Sequence, residues 1–153
     1  MHYSTGLAAS ILGSTGMTGA SALGTGVIDI LSGPMPTDAN DAQTGTLLVR
    51  ITKASGAWVA GTATNGLVYD VSGATAGIHS GDTWSGVAVA SGTAGYARAK
   101  GNAADNLASS TTLVRCDLTV SAGGGAECNL SHLDITSGET VSVNSCAITQ
   151  PRA

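Results

Sequence analysis

The side chains that could carry out chemistry are few and widely separated in this chain. The three histidines, His2, His79 and His132, share no short ligand spacing, and none stands beside a cysteine in a zinc-type pattern. A metal site built from them would have to be assembled by folding alone. We therefore predict no metal site.

The acidic loop that follows residue 36 is the segment closest to a cation-binding motif. Asp38, Asn40 and Asp41 resemble a fragment of a calcium loop, but the central glycine and the distant glutamate of an EF-hand are missing. Short Asp and Asn side chains also stabilise turns by bonding their own backbone. A structural loop is the favoured interpretation.

Motifs for catalysis are equally weak. Serines are abundant, but there is no G-x-S-x-G elbow, and the only glutamates, Glu127 and Glu139, fall in or beside exposed strand positions. The glycines at 123–125 are not a phosphate cradle, because neither Lys53 nor Lys100 stands in a G-K-[ST] context. We predict no catalytic residues, no cofactor and no enzymatic activity.

The three cysteines, Cys116, Cys128 and Cys146, form no C-x-x-C pair, and each lies within a strand pattern. Cys116 is in phase with the apolar residues of its strand and is expected to point inward. A hairpin turn at 123–125 would place Cys116 and Cys128 out of register, which disfavours a bridge between them. We predict buried, reduced thiols.

Charge and hydropathy exclude two classes of partner. The 153 residues include six basic and ten acidic side chains, with a formal net charge of −4 and no basic cluster. Nucleic-acid binding needs a basic stripe, and a bilayer span needs roughly 20 apolar residues, so we expect neither a nucleic-acid nor a membrane partner. The first residues lack the basic region of a secretory signal, so we expect synthesis in a cytoplasm without export.

The apolar core is lean. More than half of the residues are Ala, Ser, Thr or Gly, while Leu, Ile and Val together make up just under a fifth. Buried apolar area contributes about 25 cal/mol per Å², so small side chains add little each. We expect a folded domain that gains part of its stability by packing against other subunits.

Alternating strand patterns dominate the chain. Residues 27–52 contain two such runs around a loop rich in Pro, Asn and Asp, which predicts two adjacent, half-buried antiparallel strands. Further strands are expected near 67–71, 83–91, 95–100, 111–121, 126–130, 133–135 and 139–150. About eight or nine short strands predict an all-β sandwich or barrel.

The alternation also predicts which side chains face the core. Val87 and Val89 are expected to share one phase, with Trp84 out of phase at a bulge near Gly86. Ala97 and Ala99 are expected to face inward. The charged residues placed on outward-facing positions are Asp29, Arg50, Arg98, Lys100, Arg115 and Asp117.

The two ends of the chain carry distinct signals. Residues 4–12 predict a short helix capped by Ser4 or Thr5, and residues 13–26 are a low-complexity stretch. We therefore divide the chain into an N-terminal arm, 1–26, and a β-sandwich domain, 27–153. The last strand, 139–150, switches its buried phase from Val141 and Val143 to Cys146 and Ile148, so it should contain a bulge or cross between sheets.

Several segments resemble a family of small virion proteins of tailed bacteriophages. They are the I-x-I-x-S-G-x-x-P strand exit (28–36), TGTLL (44–48), STGLAASIL (4–12), TNGLVYDV (64–71), GDTWSGVAVASGTAGYAR (81–98) and ETVSVNSCAITQP (139–151). These motifs are structural and carry no chemistry. The resemblance, together with the strand count, favours an antiparallel β-sandwich of jelly-roll type with about eight strands. An immunoglobulin-like sandwich is the alternative, although its Cys…Trp…Cys order is absent.

The function implied by this resemblance is structural. We expect a capsid decoration, or cement, protein that is made in the bacterial host cytoplasm, binds the major capsid protein on the virion surface and forms a homotrimer. One alternative is a neck, tail or fibre-associated protein that contacts a receptor. Another is a carbohydrate-binding module that uses Trp58 or Trp84.

Overall fold

The computed structural model describes residues 1–12 and 22–149, and these contain one helix and twelve strands. The helix is α1 (Thr5–Leu12). The strands are β1 (His2–Tyr3), β2 (Val27–Ser32), β3 (Leu47–Lys53), β4 (Tyr69–Ser72), β5 (Thr75–Ile78), β6 (Trp84–Val87), β7 (Gly92–Lys100), β8 (Arg115–Leu118), β9 (Val120–Ser121), β10 (Cys128–Leu130), β11 (Asp134–Ile135) and β12 (Thr140–Thr149). The predicted all-β, sandwich-like class with a short N-terminal helix is confirmed. The strand number exceeds the expected eight because several ladders are only two or three residues long.

The main sheet curls until its two ends approach each other. Its strand order is β1-β8-β7-β2-β3-β6-β12-β10-β9, with β11 beside β7 and the β4–β5 hairpin beside β12. Strands β8 and β9 stand near opposite ends of this order, yet only Thr119 separates them in sequence. The amino group of Met1, at the β1 end, lies 3.5 Å from Oε1 of Glu127 beside β10. This curled, β-rich arrangement is consistent with the expected jelly-roll type.

The first predicted strand pair is present. Strands β2 and β3 are antiparallel, with Ile28 opposite Ile51 and Ile30 opposite Val49. On its other side β2 pairs with β7, whose Ala97 and Ala99 face the apolar core as expected. These residues are fully buried and form the centre of the sheet.

The amino-terminal segment packs on the sheet of its own chain. Ser4 Oγ accepts a hydrogen bond from the Leu7 backbone at 3.1 Å, which confirms the predicted helix cap. A Cβ atom at Gly6 would lie 2.4 Å from the Thr112 carbonyl, so only glycine lets α1 approach this closely. Strand β1 pairs antiparallel with β8. Residues 13–21 of the predicted arm lie outside the described residues, and the arm's contact with neighbouring subunits stays a prediction.

The predicted phase switch in β12 is confirmed. Val141 and Val143 are buried, the next two residues are exposed, and burial resumes at Cys146 and Ile148. The pairing of β12 with β10 shifts register at the same place. One extra residue therefore turns the second half of β12 so that its apolar side chains also reach the core.

The predicted bulge near Gly86 is wrong, and Val87 and Val89 face solvent on the phase opposite to Trp84. Their side chains are 50% and 66% exposed, whereas Trp84 is 1% exposed. Strand β6 keeps a constant register with both β3 and β12, so it contains no bulge in its pairings. At Gly86 a Cβ atom would lie 2.1 Å from the Arg50 carbonyl. Only glycine at position 86 therefore lets β3 approach β6 this closely. The positions of this segment that face inward are 84, 86 and 88.

The predicted hairpin at the triple glycine is also wrong. Strands β9 and β10 run parallel, with Val120 opposite Cys128. Gly124 and Gly125 have φ angles of 95° and 88°, and the loop they form carries the chain back to the start of a parallel neighbour. All three cysteines are buried and unbridged, as expected.

Candidate functional site

The most organised group of polar side chains is a row that crosses five strands on the face opposite the apolar core. Asp29 stands opposite Arg50 on β3 and Arg98 on β7, and Arg98 stands opposite Asp117 on β8. His2 on β1 follows, opposite Asp117. Directly opposed residues share a face, so charges of alternating sign lie side by side.

Each carboxylate in the row is paired with a cation. Arg98 Nε and Nη2 donate to the two oxygens of Asp117 at 2.6 and 2.8 Å, and both side chains are fully buried. Asp29 accepts from Arg50 Nε at 2.7 Å and lies 2.6 Å from Lys100 Nζ. Burial alone would lower the pKa of Arg98, but the hydrogen bond to Asp117 and the negative charge of that carboxylate together raise the pKa above its ordinary value. The guanidinium therefore stays charged inside the protein.

Arg115 connects this face to the loop at 102–110. Its Nε and Nη2 atoms donate to Asp105 at 2.8 and 2.6 Å. Burial opposes ionisation of Asp105, but hydrogen bonds from Arg115 and from the Leu107 backbone lower its pKa. The Asp41 carbonyl accepts from Arg98 at 3.0 Å and from Arg115 at 3.4 Å, and so ties the second loop, 33–45, to the same charges.

The two loops are also held to each other and to the helix. The Asn40 backbone donates to Asp38 Oδ1 at 2.8 Å, which is the turn expected of such residues. Asn40 Oδ1 accepts from the Thr5 backbone at 2.9 Å, and the Asn40 carbonyl accepts from Ser110 at 2.8 Å. The loops therefore form a cover over the charged row.

This cover corrects the predicted direction of the charged side chains. The residues expected to face solvent and now found buried are Asp29, Arg98, Lys100, Arg115 and Asp117. Arg50 is the exception, with 37% of its side chain exposed. Alternation alone predicts half-buried strands, because the loops that cover them have no periodic pattern in the sequence.

The charged row and the loop residue Asp105 form one network of ion pairs. Its three carboxylates, Asp29, Asp105 and Asp117, are all engaged by arginine or lysine side chains. A general acid or base needs a proton position that a substrate can reach. Here the covering loops occupy that side of the sheet, so the arrangement stabilises the loops.

A Ser-His-Glu series lies in the loop between β10 and β12. Ser131 Oγ is 2.9 Å from His132 Nδ1, and His132 Nε2 is 2.8 Å from Glu139 Oε1. Hydrogen bonds from the Thr136 backbone and from His132 lower the pKa of Glu139. Ser131 Oγ also accepts from the Ser142 backbone at 3.2 Å. The Ser131 hydroxyl is therefore bonded both to the adjacent His132 and to strand β12. Together the three side chains hold a surface loop in place.

The other histidines lie elsewhere. His79 Nδ1 is 2.7 Å from Asp70 Oδ1 on the β4–β5 hairpin. His2 Nδ1 is 2.9 Å from the Pro36 carbonyl. Within residues 1–12 and 22–149, no three His, Cys, Asp or Glu side chains are grouped so as to hold a metal ion.

A surface pocket of about 380 Å³ lies beside His2. It is lined by Met1, His2, Tyr3, Thr37 and Asp38. Burial, followed by the nearby Cys116, raises the pKa of Tyr3 to about 12, so its hydroxyl stays protonated at neutral pH. The Tyr3 hydroxyl donates to the Thr149 carbonyl and is thereby used in joining the first strand to the last.

The tryptophans do not form an open aromatic platform. Trp84 is buried and packs edge-on against Tyr69 at 4.8 Å between ring centroids. Trp58 Nε1 donates to the Thr25 carbonyl at 2.9 Å, and the Arg50 guanidinium lies over its ring at 5.7 Å. Both rings are therefore engaged by the protein itself.

The outer surface carries few charges. Among the described residues, the charged ones classed as exposed are Asp38, Asp41, Lys53, Asp70 and Asp134. Large apolar side chains are exposed at Val59, Val71, Val87 and Val89. No helix in the described part of the chain is both long and apolar enough to cross a bilayer.

No protein-family model, no curated protein and no solved structure matches this chain. The resemblance to phage virion proteins stays a prediction.

Proposed function

We propose that this chain is a bacteriophage virion structural protein that decorates the capsid. It binds across joints between copies of the major capsid protein, as a homotrimer on the virion surface, and so stabilises the head. Its role is mechanical, and the side chains that matter are those that pack and those that keep loops in place.

The observation that carries this proposal is the distribution of charge. Four of the six Lys and Arg residues belong to the charged network, three of them buried, and the exposed surface is left with mostly small, neutral side chains. The buried centres of protein interfaces are depleted in charged residues. Ala, Ser, Thr and Gly also lose little rotamer freedom when a partner covers them. A surface of this kind favours close contact with another protein.

The charged network supports the same role. It fixes loop 102–110 through the ion pair between Arg115 and Asp105, and it fixes loop 33–45 through hydrogen bonds from Arg98 and Arg115 to the Asp41 carbonyl. A protein that resists shell rupture needs loops that do not rearrange under load. Many modest contacts, repeated over many copies, then sum to a large stabilisation of the particle.

Particles that lack the chain provide the direct test. Heads purified from a phage deleted for its gene are mixed with the purified full-length chain and sedimented, and bound copies are counted. Decoration predicts saturable binding in a fixed ratio to the major capsid protein and genome release at a higher temperature. Electron cryo-microscopy should show added density over capsid joints.

Three outcomes would overturn the proposal. Failure to bind heads under all conditions excludes decoration. Binding of only a few copies at one vertex or along the tail supports the neck, tail or fibre alternative. A glycan-dependent signal lost in a Trp58→Ala variant would instead favour the carbohydrate-binding alternative.

A further inference from the structure

Cys128 on β10 and Cys146 on β12 stand directly opposite each other. The Ala147 backbone donates to the Glu127 carbonyl at 2.8 Å, so the two cysteines form a non-hydrogen-bonded pair of an antiparallel ladder. Cα atoms in such pairs are about 4.5 Å apart, which lies within the range that a disulfide can span.

The register shift in β12 is what brings these thiols together. Val143 is buried before the shift, and Cys146 is buried after it. Without the extra residue, Cys146 would fall on the outward phase of the strand and point away from Cys128. Both thiols instead face the core, where Cys128 is 0% and Cys146 is 6% exposed.

The residues opposite each thiol distinguish the Cys128–Cys146 pair from Cys116, the third cysteine. The Cys128 thiol, followed by burial, raises the pKa of Cys146 well above its ordinary value. Cys116 stands opposite Ala99 and Tyr3 in its strand pairings, and burial raises its pKa. All three thiols are reduced in the structure, and the raised pKa values of Cys116 and Cys146 keep these two thiols mostly protonated at neutral pH, so they react slowly.

We propose that Cys128 and Cys146 are an oxidisable pair that closes into a disulfide between β10 and β12 when the chain meets a peroxide. The Cys146 thiolate attacks one peroxide oxygen, which forms a sulfenic acid and releases water after protonation. The Cys128 thiolate then attacks the Cys146 sulfur and displaces the hydroxyl as a second water. Two thiols and one hydrogen peroxide thus give one disulfide and two waters.

The disulfide would fasten β10, the last strand but one in the sheet order, to β12. It closes a loop of roughly 20 residues and restricts the unfolded chain, which raises the melting temperature by about 5–10 °C. The pair does not depend on the proposed function. A chain released from a reducing cytoplasm would nevertheless meet such oxidants outside the cell.

Peptide mapping of the full-length chain tests the pairing. Reduced protein is treated with hydrogen peroxide, its remaining thiols are alkylated, and it is digested with a protease that cleaves after glutamate. Since Glu127 and Glu139 are the only glutamates, the three cysteines fall on three different peptides. We expect residues 128–139 linked to 140–153 with the loss of two hydrogens, Cys116 alkylated, and a higher melting temperature that reductant reverses.

Matched variants complete the test. Cys116→Ala should keep the linked peptide and the rise in melting temperature, whereas Cys146→Ala should lose both. The proposal is overturned if Cys116 appears in the linked peptide of folded protein. It is also overturned if peroxide takes Cys146 to sulfinic acid without a link, or if folded wild-type chain stays fully alkylated while urea-unfolded chain forms disulfides.

Discussion

Replacing Asp117 with leucine removes the carboxylate that accepts two guanidinium hydrogen bonds from Arg98. Both side chains are 0% exposed, and the two bonds measure 2.6 and 2.8 Å. In the Asp117→Leu variant the Arg98 charge stays buried with only the Asp41 carbonyl as partner. Loss of one member of a buried ion pair costs about 3–5 kcal/mol, because the remaining charge is uncompensated.

That cost is large for a domain of this kind. Small domains unfold with a free energy of about 5–15 kcal/mol, so Asp117→Leu should remove roughly a fifth or more of the total. The double variant Arg98→Met/Asp117→Leu should recover much of the loss, since no buried charge remains. Its residual cost is about 1–3 kcal/mol, from the weakened hydrogen bonding of the Asp41 carbonyl.

Urea unfolding at pH 7, followed by tryptophan fluorescence, measures these differences. Asp134→Leu is the matched control, because Asp134 is exposed and its loss should change stability by no more than about 0.5 kcal/mol. The reasoning is refuted if Asp117→Leu behaves like this control. It is refuted equally if the double variant is as unstable as the sum of its two single variants.

Three further substitutions have expected outcomes. Gly86→Ala places a Cβ atom 2.1 Å from a carbonyl of the neighbouring strand and should lower the free energy of unfolding in urea by about 1–3 kcal/mol. Gly123→Ala is the control, because open space surrounds Gly123 and no such loss is expected. Because Arg115 lowers the pKa of Asp105, this carboxylate stabilises the fold above about pH 4 and loses that effect as pH falls through the lower folded-state pKa. Asp105→Asn should therefore reduce stability at pH 7 and flatten the acid limb of the stability curve. Ser4→Ala should cost about 1–2 kcal/mol and reduce helix content by circular dichroism, since its hydroxyl caps α1 and also bonds β8.

The sequence was a good guide wherever apolar alternation alone decides structure. The strand pair at 27–52, the helix capped by Ser4 and the phase switch before Cys146 all follow from short-range spacing. Each depends on side chains that must reach one core. The spacing of these side chains along the chain decides which of them face the core, so it can be predicted from the sequence alone.

The charged face of the sheet could not be predicted in the same way. Alternation places Asp29, Arg98 and Asp117 opposite the core, which is correct, but it does not show that loops cover that side. Strand register brings opposite charges together, and register is a long-range property. The sequence did offer one signal for this network: charged residues of opposite sign stand on predicted strands, in a chain that carries few charges elsewhere.

Two errors came from the use of hydrophobicity alone. Val87 and Val89 are apolar, which favours a bulge that turns them inward together with Trp84, yet the inward phase belongs to Trp84 and the small residues that follow it, because Gly86 must allow a neighbouring strand to approach. The glycine run at 123–125 predicts a tight turn. A positive φ at Gly124 and Gly125 suits either a hairpin or a return to a parallel strand, so composition could not distinguish them.

The copy number of this chain in purified virions tests the proposed function most directly. Quantitative mass spectrometry of mature particles, with the major capsid protein as internal reference, gives that number. A decoration protein should be present at hundreds of copies per head, in a constant ratio between preparations. If the chain is absent from mature particles, and the purified protein is a highly stable monomer, the account is contradicted.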